Sequence, residues 1–338
     1  MRKWIFLAFL ALAAIALAVS TGVFLQPHPQ SDSKTQVETT APKTEIPSQS
    51  DNAAVASEKP INAPQIDPQK LLGHIQALNF RRYTTAERDR TRQYLTKSLK
   101  TWGWKPKLQR FGKGVNVIAT RKGTNPEAGT VLVAAHYDTV FVSPGADDNG
   151  SGVAVILEAA RLFASHPTPR TLQLVFFDEE ELGLRGSLAF TANKANLKQL
   201  QDVIVMDMVG YACYTAGCQK YPEGLPVTPP TDKGDFLAVV GDAEHLPLLE
   251  AFKKSAQPGL PSVLTLPVPF KGALTPDVLR SDHAPFWYHG IGAVLVSDTA
   301  NLRTPHYHRP TDTPATLDHP FFQGSAQIII NAITLLLT

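Results

Sequence analysis

The stretch Thr171–Ser187 reads TLQLVFFDEEELGLRGS. Leu174 to Phe177 sets large apolar side chains at adjacent positions rather than alternate ones. A strand with one wet face alternates, whereas a strand covered on both faces does not. The stretch therefore predicts an interior strand of an α/β sheet. It ends where Asp178, Glu179, Glu180 and Glu181 follow one another. Adjacent like charges repel, so a strand end that carries them needs positive charge beside it. Asp178 and Glu179 are expected to be exposed or to cap the next turn, and a short helix is expected over 184–193.

The same grammar extends in both directions. GVNVIATRKG (114–123), GTVLVAAHYDT (129–139), DVIVMDM (202–208), FLAVVGD (236–242), SVLTLPVP (262–269) and GAVLVSD (292–298) read as strands. Helices are expected over 67–78, with Asp67 as N-cap and Pro68 at the first position, and over 84–103. In the second, Thr84 and Glu87 form a capping box and Gly103 ends it. Further helices are expected over 152–166, 244–257, near 281–290 and over 320–337. Strands that alternate with helices predict a three-layer α/β/α sandwich around a mostly parallel mixed sheet. Ligand sites in such sheets lie beyond the carboxyl ends of strands. His136, the acidic run and Asp207 all fall there.

The chain has 338 residues, a net charge of +2 and 43% hydrophobic residues, which suits one large domain with additional segments. The near-neutral balance gives no electrostatic case for a nucleic-acid partner. Residues 1–25 begin with Arg2 and Lys3, followed by an uncharged apolar run from Trp4 to Leu25. That is the form of a signal peptide or an N-terminal membrane anchor. It places the rest of the chain on the periplasmic or extracellular side. Residues 26–66 are rich in Pro, Ser, Thr and Gln and read as a disordered linker. The folded domain is expected over 67–338. The two cysteines, Cys213 and Cys218, lie in one Gly-containing loop, and in an exported chain they are expected to form a disulfide.

Five short stretches carry residues suited to metals or to acid–base work. They are AAHYDT (His136, Asp138), GADDNGSG (Asp147, Asp148), DEEELG (Glu180, Glu181), MDMVG (Asp207) and PHYHRPTDT (His306, His308). Each alone reads as a turn or a helix start. Together, at one edge of one sheet, they form a row of carboxylates and imidazoles. Ligands of that kind without thiolate suit catalytic zinc. Of the adjacent glutamates, one can bind metal while the other serves as a general base.

With EELGLRGS and SDHAPF, these stretches resemble the co-catalytic zinc exopeptidases related to bacterial leucyl aminopeptidases, glutamate carboxypeptidase and glutaminyl cyclases. The likeness runs from about Val115 to the C-terminus. It implies that 67–338 is a zinc peptidase domain binding Zn(2+), two ions per chain. It implies metal ligation by His136, Asp148, Glu181, Asp207 and His308, with Asp148 bridging and Asp138 orienting His136. It implies Glu180 as the general base acting on a water shared by the metals, and Tyr307 as the stabiliser of the tetrahedral intermediate. It also implies a cis bond between Asp148 and Asn149; Ser281, Asp282 and His283 are expected to support the site or to begin a helix. The expected function is an aminopeptidase acting on peptide substrates. A single-zinc glutaminyl cyclase, a carboxypeptidase or dipeptidase, and a non-catalytic receptor-like module are the alternatives. Oligomeric state is open.

Overall fold

A computed structural model describes residues 61–222 and 229–338. The expectations for the N-terminal segment 1–25 and for most of the linker lie outside the described residues. Within the expected linker, Ile61, Ala63 and Ile66 pack against the core, so the described packing begins ahead of Asp67. Among the described residues no helix is long and apolar enough to cross a membrane.

Asp67 accepts hydrogen bonds from the amides of Gln69 and Lys70 and starts helix α1 (Pro68–Ala77). The Thr84–Glu87 capping box starts α2 (Thr85–Thr101). Then follow β1 (Lys107–Phe111), β2 (Gly114–Arg121) and β3 (Thr130–His136). Helix α3 (Gly150–Leu162) leads to β4 (Thr171–Phe177), α4 (Arg185–Ala192) and β5 (Leu200–Met206). The chain continues through β6 (Phe236–Asp242), α5 (Leu246–Ser255), β7 (Ser262–Val268), α6 (Ala284–Tyr288), β8 (Gly292–Ser297) and α7 (His319–Leu336).

The strands form one mixed sheet in the order β1-β2-β4-β3-β5-β8-β6-β7. β4, β3, β5 and β8 are mutually parallel, as are β6 and β7. β1, β2 and the β6–β8 pairing are antiparallel. β1 escaped the sequence reading because KLQRF carries little apolar signal and its side chains are largely exposed. Two apolar clusters flank the sheet. The larger joins Val131, Val133, Leu174 and Phe176 to α1, α3, α5 and α7. The smaller joins Leu132, Val175 and Phe177 to Phe190, Phe286 and Trp287. Burying each such side chain stabilises the fold by roughly 1.5–3 kcal/mol. Adjacent residues of β4 thus serve opposite faces, which is why its apolar run does not alternate.

Candidate active site

β3, β4, β5 and β8 run parallel, so their carboxyl ends lie at one edge, and the loops that leave them meet there. His136 is the last residue of β3 and is buried. Its Nε2 lies 3.4 Å from Asp148 Oδ1 and 3.5 Å from Asp207 Oδ1. His308, in the loop after β8, places its Nε2 3.2 Å from Asp148 Oδ2 and 3.1 Å from Glu181 Oε2. The two oxygens of Asp148 therefore face different imidazoles. Potential ligand atoms converge in two groups, His136 with Glu180 and Asp207, and Asp148 with Glu181 and His308. Asp148 Oδ2 and Glu181 Oε1 are buried without a hydrogen-bond partner. Nitrogen and oxygen donors that face one another, with buried carboxylate oxygens left over, fit a site for divalent cations.

Other side chains hold these groups in place. Asp138 Oδ1 lies 3.6 Å from His136 Nδ1 and accepts from the Glu180 amide at 3.1 Å. Its Oδ2 accepts from the Glu181 amide at 3.3 Å, so the carboxylate holds the acidic loop, while His136 Nδ1 lies 3.2 Å from the Asp138 main-chain carbonyl oxygen. Asp312 accepts from the amides of Asp147 and Asp148 at 2.9 and 3.0 Å. Asn149 donates to Met206 O and accepts from the amides of Gly152 and Met208, which ties the α3 start to the segment carrying Asp207. The Asp148–Asn149 bond is cis. Arg82 is fully buried and donates to the carbonyls of Tyr137, Leu78, Phe80, Pro144 and Gly145, bracing the loops around His136 and Asp148. Gly186 is required by close approach: a Cβ there would meet Asp178 O at 2.4 Å. Glu179, Met208 and His308 all have positive φ, between 57° and 58°. Such conformations cost non-glycine residues energy and gather where a site is held in shape.

One expectation needs correction. Asp178 and Glu179 are neither exposed nor capping residues. Both are buried and paired with arginines of α2. Asp178 meets Arg88 Nε at 3.1 Å and Arg92 Nη1 at 3.2 Å, and Glu179 meets Arg88 Nη2 at 3.1 Å. Charged arginines on an otherwise polar helix gave no sign of facing inward. The roles of Asp312, Asn149 and Arg82 were also missed. Asp312 had a signal, because it lies in the same PHYHRPTDT stretch as His308.

The remaining candidates are placed as follows. Tyr307 stacks on His308, with ring centroids 3.8 Å apart. His306 instead contacts Thr311 Oγ1 through Nδ1. His283 contacts Val278 O through Nε2 and joins neither ligand group. Asp282 accepts from Ser187 Oγ behind the site. Cys213 and Cys218 form a disulfide.

Electrostatics follow from this crowding. Burial, then Asp207, Asp282 and Glu181, push the Glu180 carboxyl well above the usual range against the pull of His136. Burial and Asp148 push Glu181 up to about 7. Burial lowers the His308 pKa, but Asp148 and Glu181 outweigh it and raise the ring to about 10. Burial, then Asp148, Asp207 and Glu181, raises the Tyr307 phenol, which stays protonated. The ligand groups open onto a cavity of about 320 Å³ whose inner wall includes Phe236, Val240, Leu264, Leu266 and Leu295.

Known proteins share this arrangement of strands. The chain is 33% identical over 218 residues to the uncharacterized protein YfbL of Escherichia coli K12, covering 61% of this chain and 66% of YfbL. It is similar to BSAP, a zinc aminopeptidase from Bacillus subtilis, with 28% identity and a TM-score of 0.51. That match covers 65% of this chain and 49% of BSAP. The fold also matches a Bacteroides thetaiotaomicron glutaminyl cyclase, at a TM-score of 0.62 and 18% identity, over 81% of this chain and 99% of that one. The matched part thus spans less than two thirds of the length of YfbL and of BSAP. Residues 116–333 match the profile of peptidase family M28, more than half of the chain and every loop that meets at this edge, and the chain belongs to that family.

Proposed function

We propose that the protein is a zinc-dependent aminopeptidase that removes apolar residues from the free N-termini of peptides. The observation that carries this reading is the pair of facing ligand groups, joined by Asp148, at the mouth of an apolar cavity. His136, Asp207 and Asp148 would hold one zinc ion, and Glu181, His308 and Asp148 a second. Bound zinc polarises the scissile carbonyl and brings water deprotonation toward neutral pH. Glu180, already counted among the first group of donors, is left free to take the proton of the attacking water and return it to the leaving amine. The protonated phenol of Tyr307 donates to the oxyanion as charge develops. Asp138 and Asp312 keep His136, the acidic loop and the 147–148 turn in register, so little reorganisation is needed. The cavity wall takes the N-terminal side chain. The export-like N-terminus and the Cys213–Cys218 disulfide support a location on the outer side of a membrane.

The test is hydrolysis of a panel of N-terminally free and N-blocked peptides, with zinc counted on the same sample. The expected result is two zinc ions, cleavage of the free peptides alone and loss of activity on chelation. One zinc with cyclisation of N-terminal glutamine in place of hydrolysis overturns the reading in favour of a cyclase. Cleavage from the other end of blocked peptides keeps the chemistry and overturns the substrate class.

A further inference from the structure

Arg280 follows the turn Pro276–Leu279 and lines the cavity at its exposed rim. Other arginines of the domain, such as Arg81, Arg88, Arg92, Arg161, Arg170 and Arg185, meet carboxylates. Arg280 does not, among the described residues. Its Nη1 donates to Asn301 Oδ1 at 3.1 Å and its Nη2 to the Tyr307 hydroxyl at 3.3 Å. Both partners are neutral. Asp277 lines the same cavity yet forms no ion pair with Arg280 among the described residues. Two neutral acceptors fix the guanidinium without neutralising it, so it retains donors and a full charge inside a substrate cleft.

Resting on the aminopeptidase reading, we propose that Arg280 is the receptor for a carboxylate on the leaving side of the scissile bond, so that the preferred substrates are dipeptides with a free C-terminus. The apolar wall of β6, β7 and β8 takes the N-terminal side chain, and the leaving residue emerges at the exposed rim. One residue spans at most about 3.6 Å. A carboxylate directly after that residue stays beside the rim, whereas a longer peptide carries its terminus away. The planar fork of arginine binds carboxylate through two parallel hydrogen bonds. Tyr307 couples the two events. Its oxygen accepts from Arg280, which leaves its proton to donate to the oxyanion, so the residue that reads the leaving side also steadies the group that stabilises the reaction. An acidic side chain on the leaving residue offers the same chemistry, and the test separates the two sources.

Hydrolysis of Leu-Ala, Leu-Ala-amide and Leu-Asp-amide is compared in the wild type, Arg280→Met and Arg280→Lys. The expected kcat/KM for Leu-Ala exceeds that for its amide by about 10- to 100-fold, the usual range for a charge-assisted hydrogen bond. Arg280→Met brings the ratio to about 1, and Arg280→Lys keeps part of it, because lysine offers charge without the fork. A Leu-Asp-amide rate equal to that of Leu-Ala, with the same loss in Arg280→Met, assigns the receptor to a side chain and overturns the dipeptide preference. A wild-type ratio near 1, or a ratio unchanged in Arg280→Met, overturns the receptor itself. Calorimetric binding of Leu-Ala and its amide to Glu180→Gln, with and without Arg280→Met, reads the contact without turnover. An affinity ratio that Arg280→Met abolishes upholds the receptor where no peptide is cleaved, and that absence of cleavage then counts against the aminopeptidase reading alone. Equal affinities remove the receptor.

Discussion

The four acidic residues after β4 divide into two pairs with opposite fates. Asp178 and Glu179 turn toward α2, where Arg88 and Arg92 meet them within the folded chain. Glu180 and Glu181 turn the other way, toward His136, Asp207 and His308. The chain leaves the first pair through Glu179 at a φ of 57°. The first pair is neutralised by side chains that are always present. The second faces carboxylates as well as imidazoles, so under the proposed reading its compensation would come from bound cations. One loop is therefore anchored at its start by permanent charges and ends in a pair of acids that face the ligand groups.

The largest effect that separates the pairs is on rate. Glu180→Gln is expected to lower kcat by about 10²- to 10⁴-fold through loss of the base, with zinc content and melting temperature nearly unchanged. A variant that kept its rate would place Glu180 with the structural pair. Removing the other pair's partners acts on stability. The double variant Arg88→Met, Arg92→Met leaves buried carboxylates unpaired and is expected to cost about 3–5 kcal/mol, read by denaturant unfolding. Saturating zinc should still add its own increment, about 2.7 kcal/mol at 100 times its Kd. Loss of that increment would show that the pairs are not independent.

The smallest effect is on pH dependence. Burial, with Asp138, pushes the Asp178 carboxyl up to about 6 despite the two guanidinium groups. Its folded pKa exceeds its unfolded value of about 3.9, so between about pH 4 and pH 6 the folded state binds the additional proton. Its contribution is fully present below about pH 4 and is lost as pH rises through 6. The wild type is expected to lose up to about 2–3 kcal/mol relative to Asp178→Asn across that window. Melts at pH 4, 5 and 6 that stay parallel would refute the assignment.

Much of this was legible in one dimension. The unalternating apolar run of β4 announced a sheet covered on both faces. The Asp67 and Thr84 caps announced two helices, and the five ligand-bearing stretches fell where parallel strands end. Local periodicity and capping chemistry act over a few residues, so sequence alone carries them. The inward turn of Arg88 and Arg92 was not legible, because a charged helix face reads as solvated whether it meets water or a buried carboxylate. Asn149 was hidden as an anchor, since a side chain that accepts from a backbone amide more than 50 residues away leaves no local pattern, whereas Asp312 had its place beside His308 as a signal. From its sequence alone this protein declared its layers, its caps and the chemical types of its site residues, because those depend on near neighbours. Only the tertiary structure decided that Asp178 and Glu179 are buried against Arg88 and Arg92, because that pairing depends on which distant cation the fold brings within about 4 Å, where charges interact strongly.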